Sequence, residues 1–441
     1  MPSDPPRHRL GPRPLPLHLA AASLAWTSSL AALPLLRNGS LAWRPELAPA
    51  ARALAADLAA ANPEAVVAAI AREADRRLNA FLVAVRAYRR HSYRPPRPAM
   101  PILWQEGTTR LLDYGKSGGG NGGRKAQAAP ILVVPSLINR CDILDLVPER
   151  SFMRFLAGQG LRPFLVDWGH PGETERGFGL ADYVLKRLGS ALEAVRARCG
   201  RAPVLVGYCM GGTLALGLAE QRAAELGGLV LLAAPWDFHA ERPEQAVLLG
   251  ALLPLVEPLL AALGELPVDV IQTLFAALDP ALALRKFLGF AALDPASERA
   301  RHFVALEDWL NDGVPLAAPV ARECLGRWYG ENAPARGAWR LGGRPVLPRR
   351  IEIPCLAVIP DQDRIVPPAS ASALAAALPD CSTLRPATGH IGMMSGSRAE
   401  AAVWRPLVEW VLARAVSCTA TGPSLESARK ARTRKAKRRQ P

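Results

Sequence analysis

A cysteine stands at the centre of Gly207-Tyr208-Cys209-Met210-Gly211-Gly212, behind the apolar run Val204-Leu205-Val206 and ahead of a helix-forming stretch over residues 213–220. Gly-x-Cys-x-Gly between a strand and a helix is the layout of a nucleophile elbow, a sharp turn that exposes its central side chain at the top of a parallel sheet. Glycines flank such a turn because it leaves no room for Cβ atoms against the neighbouring backbone. A thiol in that place points to acyl chemistry through a thioester. A buried structural cysteine is the plainer alternative, but it leaves both the glycine spacing and the preceding strand without a reason.

An elbow needs a carboxylate and a histidine, in the chain order nucleophile, acid, histidine. Downstream, Cys355-Leu356-Ala357-Val358-Ile359 reads as a strand and runs into Pro360-Asp361-Gln362-Asp363-Arg364-Ile365-Val366-Pro367. A carboxylate just past the C-terminal end of a strand lies at the sheet edge where ligands bind. Asp361 and Asp363 both qualify, and either could instead cap the helix that begins near Pro368. Spacing alone does not choose between them. The short strand Ser382-Thr383-Leu384-Arg385 then leads to Thr388-Gly389-His390-Ile391-Gly392. Of the seven histidines, His8, His18 and His91 precede the core and His170, His239 and His302 fall at the wrong place in chain order. His390 is left as the base.

Further stretches complete a pattern. Val134-Pro135-Ser136-Leu137-Ile138-Asn139-Arg140 with Ile143-Leu144-Asp145-Leu146 resembles the Pro-Pro-x-Ile-Asn-Lys/Arg and Ile-Leu-Asp-Leu block of polyhydroxyalkanoate synthases. Val166-Asp167-Trp168-Gly169-His170-Pro171 is similar to the Asp-Trp-Gly-x-Pro of their class III branch. The cysteine box, Asp363-Arg364-Ile365-Val366-Pro367 and Gly389-His390-Ile391-Gly392 resemble that family's nucleophile, acid and histidine boxes. Five motifs in order, over roughly residues 101–414, make the resemblance specific. Two departures stand out: Arg364 occupies a usual histidine position, and Ser136 a usual proline.

The resemblance implies an α/β-hydrolase fold: a mostly parallel sheet with helices on both faces, a helical cap insertion and an N-terminal helical region. By position it makes Cys209 the nucleophile, Asp363 the acid and His390 the base. An elbow of this kind holds its oxyanion with the backbone N–H of Met210 and a second N–H from the loop near Ser136 and Leu137, taken here as that of Leu137. The implied reaction is acyl transfer that polymerises 3-hydroxyacyl-CoA through a cysteine-bound intermediate, with release of CoA and no cofactor or metal. The implied partners are acyl-CoA, the growing polyester or its granule, and a second synthase subunit or a homodimer, in the cytoplasm. Competing readings on the same scaffold are a cysteine hydrolase (depolymerase, thioesterase or dienelactone-hydrolase-like) and a non-catalytic granule-associated paralogue.

At 441 residues the chain can hold one large domain with appendages. Its seven cysteines are scattered with no CxxC spacing, which argues against a disulfide framework or a zinc site. The net charge of +15 resembles a nucleic-acid signal until it is located. Residues 429–439 hold eight basic side chains and no acid, so more than half of the excess sits in one tail that cannot build a core. No specific nucleic-acid binding is expected.

Along the chain, residues 1–14 are Pro/Arg-rich and expected to be disordered, and 15–98 form an N-terminal helical region. Within it, residues 15–36 are apolar behind Arg7, Arg9 and Arg13, like a signal peptide or a marginal membrane span, but a helix resting on a hydrophobic granule or on the core domain is the expected reading. Asn62-Pro63-Glu64 starts a helix whose apolar spacing lasts to about Tyr88. Residues 99–235 and 351–416 are expected to form the two parts of the sheet domain, and 236–350 a helical cap between them. Residues 417–441 are expected to be a disordered basic tail. Gly115-Lys116-Ser117 and the glycines after it are in the wrong order for a phosphate loop.

Overall fold

The computed structural model describes residues 9–115 and 128–420. The glycine-rich loop after Gly115 and the basic tail from Arg429 lie outside the described residues. The rest divides into two compact units, one of residues 9–97 with 266–315 and the other of residues 98–265 with 316–420.

The second unit is built on an eight-stranded sheet. Its strands are β1 (Ile102–Glu106), β2 (Thr109–Asp113), β3 (Pro130–Val134), β4 (Arg162–Asp167), β5 (Val204–Tyr208), β6 (Gly228–Leu232), β7 (Cys355–Val358) and β8 (Cys381–Leu384). Their order across the sheet is β1-β2-β4-β3-β5-β6-β7-β8. The hairpin of β1 and β2 joins β4 antiparallel, and every other pairing is parallel. β3, β5 and β6 are buried at every position. That explains why these strands read as unbroken apolar runs and show no alternation. All six parallel strands end on one edge, so the loops after β3, β5, β7 and β8 converge there.

The first unit packs helices α1 (Leu15–Arg37), α2 (Ala48–Ala60) and α3 (Pro63–Arg90) with the later helices Val268–Leu278, Leu282–Ala291 and Glu298–Asn311. Asn62 caps α3, its side-chain oxygen accepting from the N–H groups of Glu64 and Ala65, as the Asn-Pro-Glu signal predicts. Phe81, Tyr88, Phe287 and Phe290 fill the core. Phe287 meets Phe81, Tyr88 and Phe303 edge-on, at 6.2, 5.5 and 5.5 Å between ring centres.

Three domain expectations are corrected. Residues 236–350 do not form a single insertion, because 266–315 cluster with the N-terminal helices through the aromatic core just described. Residues 9–14 are held in place, since the buried Arg9 guanidinium donates to Asp308 Oδ1 at 2.7 Å and Arg13 donates to Asp269 Oδ1 at 2.8 Å, while residues 1–8 lie outside the described residues. The last helix, Arg405–Ala420, continues past the expected boundary at residue 416.

Candidate active site

Cys209 joins β5 to the helix Met210–Arg222 and has φ 56° and ψ −131°, a left-handed backbone that non-glycine residues avoid. Such strain costs about 1–3 kcal/mol and persists only where the surroundings over-determine it. Here they do. The Cys209 N–H donates to Leu232 O on β6, and the Cys209 carbonyl accepts from Gly212 N–H, both at 2.8 Å. The glycines have steric reasons. A Cβ on Gly207 would lie 2.4 Å from Gly212 Cα, and one on Gly212 would lie 2.5 Å from Ala234 Cβ. On Gly211 it would lie 2.2 Å from Val134 O and 2.5 Å from Pro135 O. The start of the elbow helix therefore presses against the loop that follows β3.

That contact sets the start of the elbow helix against Pro135, two residues before Leu137. Met210 opens the elbow helix, and the first N–H groups of a helix have no intrahelical acceptor. Trp168 Nε1–H donates to Pro135 O at 3.0 Å, and Ser136 Oγ accepts from Ile138 N–H at 3.1 Å. The β3 loop is thus pinned on both sides of Leu137.

The two aspartates left open by spacing separate cleanly. Asp361 lies on the surface in an ion pair with Arg385, at 2.8 Å. Asp363 is buried, and its Oδ1 accepts from the N–H groups of Ile365 and Val366 at 2.8 and 2.9 Å. Its Oδ2 accepts from His390 Nδ1 at 2.6 Å. A carboxylate can only accept, so Nδ1 carries the proton and Nε2 is left for the other side of the ring. The Cys209 side chain acts electrostatically on the same imidazole. Two backbone links hold the loops together: Asp361 N–H donates to Pro386 O, and Gln362 N–H to Thr388 O, both at 3.0 Å. Asp363 and His390 are therefore paired across the loops after β7 and β8, at the sheet edge where Cys209 ends β5.

Burial alone would lower the His390 pKa, but the opposing charge and hydrogen bonds of Cys209 and Asp363 prevail and raise it to about 10. The Cys209 contribution depends on negative charge at sulfur, so it disappears when the sulfur is acylated. Burial and Asp363 then remain in opposition, the pKa falls, and more of the ring is neutral and free to accept a proton.

Sequence reasoning passed over Tyr208. Its ring stacks on His390 at 5.2 Å and 30°, and its hydroxyl donates to the His390 carbonyl at 3.2 Å. Burial, then the charges of Cys209 and Asp363, hold its phenol well above the ordinary value. In the sequence it looked like a spacer inside the elbow. Tyr329 was also missed. Burial, with Cys324 and Cys209 behind it, raises its pKa, and no motif marks it.

The profile of the Alpha/beta hydrolase family matches residues 145–404. The chain belongs to the α/β-hydrolase family. Among curated proteins it is similar to the poly(3-hydroxyalkanoate) polymerase subunit PhaC of Haloferax mediterranei, at 30% identity over 74% of this chain and 66% of that protein. The subunits of the same name from Haloarcula marismortui and Allochromatium vinosum are 28% and 29% identical. They cover 74% and 66% of this chain, and it spans 70% and 82% of their lengths. All three relatives are named as polymerase subunits.

Proposed function

We propose that the protein is an acyltransferase that polymerises 3-hydroxyacyl-CoA into polyhydroxyalkanoate, with Cys209 as nucleophile, His390 as base and Asp363 as the acid that orients it. The observation that carries this reading is the strained cysteine at the elbow, at the same sheet edge as a His390 seated on a buried, doubly anchored Asp363. The polymerase subunits among its relatives supply the substrate class.

The chemistry follows from the geometry. The Cys209 sulfur attacks the thioester carbonyl while its proton resides on His390. The oxyanion is held by the N–H groups of Met210 and Leu137. The carbon–sulfur bond to CoA breaks, and the leaving thiolate takes the proton from His390. One thioester has replaced another, so the acyl-enzyme forms without a large change in free energy. With the sulfur now neutral, His390 accepts the proton of a 3-hydroxyl group as its oxygen attacks the acyl-enzyme. An ester forms, the Cys209 thiol is restored, and the chain is one unit longer. Asp363 keeps the proton on Nδ1 throughout and balances the imidazolium.

Purified protein incubated with 3-hydroxybutyryl-CoA tests this by parallel measurement of free CoA and insoluble polyester. Both are expected to appear together and to vanish in Cys209→Ala. CoA release with only free hydroxy acid as product would replace the polymerase by a hydrolase. Unchanged CoA release from Cys209→Ala would overturn the residue assignment.

A further inference from the structure

Helix α1 presents an apolar face for which the proposed chemistry has no use. Its 23 residues span about 35 Å at 1.5 Å per residue. From residue 15 to residue 36 there is no aspartate, glutamate, lysine or arginine. Among the described residues it is the one unbroken helix long and apolar enough to cross a membrane, yet only 11% of its most apolar window is buried. The inward side, through Ala22, Leu15, Leu19 and Trp26, joins the aromatic core of its own unit. On the outward side Leu24 is 68% exposed and Leu35 46% exposed.

Two observations say what covers that face. Two of the helix's three exposed hydroxyls are satisfied within it: Thr27 Oγ1 donates to Ser23 O at 2.8 Å and Ser28 Oγ to Ala25 O at 3.1 Å. These two hydroxyls therefore need no partner from a medium without water. Charge is the second. Residues 9–97 hold thirteen arginines against five carboxylates, and Arg44, Arg52, Arg72 and Arg86 are exposed. A neutral apolar partner gains nothing from that excess, whereas an anionic lipid surface attracts it.

We infer that α1 lies in the plane of an anionic phospholipid surface, with Leu24 and Leu35 in the acyl boundary and exposed arginines of residues 9–97 drawn to the headgroups. The helix does not cross the bilayer. Its inner face belongs to a packed core, and its start is tied down by Arg9 on Asp308, a pair in which the arginine side chain is 4% exposed. Crossing would pull both apart. An exposed apolar face on a helix held to a packed core by its other face, ending in Arg37 within an arginine-rich segment, suits the interfacial mode of binding.

The full-length protein should float with phosphatidylcholine vesicles that contain phosphatidylglycerol. Flotation should fall at least ~10-fold in the double variant Leu24→Glu/Leu35→Glu, and also in high salt. Both positions are exposed, so the variant should melt like the parent by circular dichroism, and its CoA release without vesicles should be unchanged. The inference is overturned by any of four results: no flotation, equal flotation of the double variant, equal salt-insensitive flotation with pure phosphatidylcholine, or conversion of a dimer to a monomer by the variant in vesicle-free buffer. The last would make the face a contact between copies of this chain. Vesicle binding is read without substrate, so it stands or falls apart from the proposed acyl transfer.

Discussion

Asp363→Asn isolates one proton. The wild-type carboxylate accepts two backbone N–H groups on Oδ1 and His390 Nδ1–H on Oδ2. An asparagine fits the same space and keeps its oxygen on the N–H groups of Ile365 and Val366, which leaves its NH₂ facing Nδ1. Two donors cannot share a hydrogen bond, so the ring adopts the opposite tautomer and presents Nε2–H to Cys209. His390 then has no lone pair for the thiol proton. In a histidine-based triad the wrong tautomer lowers kcat by about 10³–10⁴-fold, or roughly 4–5.5 kcal/mol at ~1.36 kcal/mol per tenfold. The assay is pre-steady-state CoA release, with circular dichroism to check folding. Asp361→Asn is the control: it removes only a surface ion pair with Arg385, worth about 0–1 kcal/mol of stability, and should leave the rate within about twofold. A folded Asp363→Asn within tenfold of wild type, or Asp361→Asn as the more damaging change, would refute the reasoning.

Three further outcomes are expected. Gly211→Ala places a methyl against the backbone oxygens of Val134 and Pro135 and should destabilise by about 1–3 kcal/mol or more in urea unfolding, whereas Gly392→Ala, with open space around it, should be near neutral. Asp308→Asn removes the carboxylate that receives both the Arg9 guanidinium and the Tyr88 hydroxyl. It should cost about 3–5 kcal/mol, read as faster amide exchange in α3. The His390 pKa is raised from its unfolded value of about 6.5 to about 10, so its charge-linked stability is full below pH ~6.5 and disappears as pH rises through about 10. The fall in Tm between neutral pH and pH ~10 should therefore be steeper for wild type than for His390→Gln; equal slopes would mean the ring is neutral in the folded protein.

What could be read from the sequence was mostly what local sterics dictate. The glycines at 207, 211 and 212 have to be glycines because backbone or Cβ atoms lie within 2.5 Å of where their own Cβ would be, and such a requirement shows in the spacing. The apolar strands and the Asn62 cap were legible for the same local reason. Asp361 and Asp363 could not be told apart by spacing, because both follow the strand by a few residues. What separates them is which one the loop after β8 reaches. Tyr208 was hidden because its partner lies 182 residues away. The split of the 236–350 stretch was hidden because Phe287 and Phe290 look like any amphipathic helix until Phe81 and Tyr88 are placed beside them.

The central claim, that the acyl group resides on Cys209 during turnover, can be weighed directly. Protein mixed with 3-hydroxybutyryl-CoA, quenched in acid within one turnover and digested should give a peptide containing Cys209 heavier by one or more hydroxybutyryl units. That mass should be removed by hydroxylamine and be absent from Cys209→Ala. Unmodified Cys209 while CoA is being released, or the same adduct on another residue in Cys209→Ala, would contradict the account.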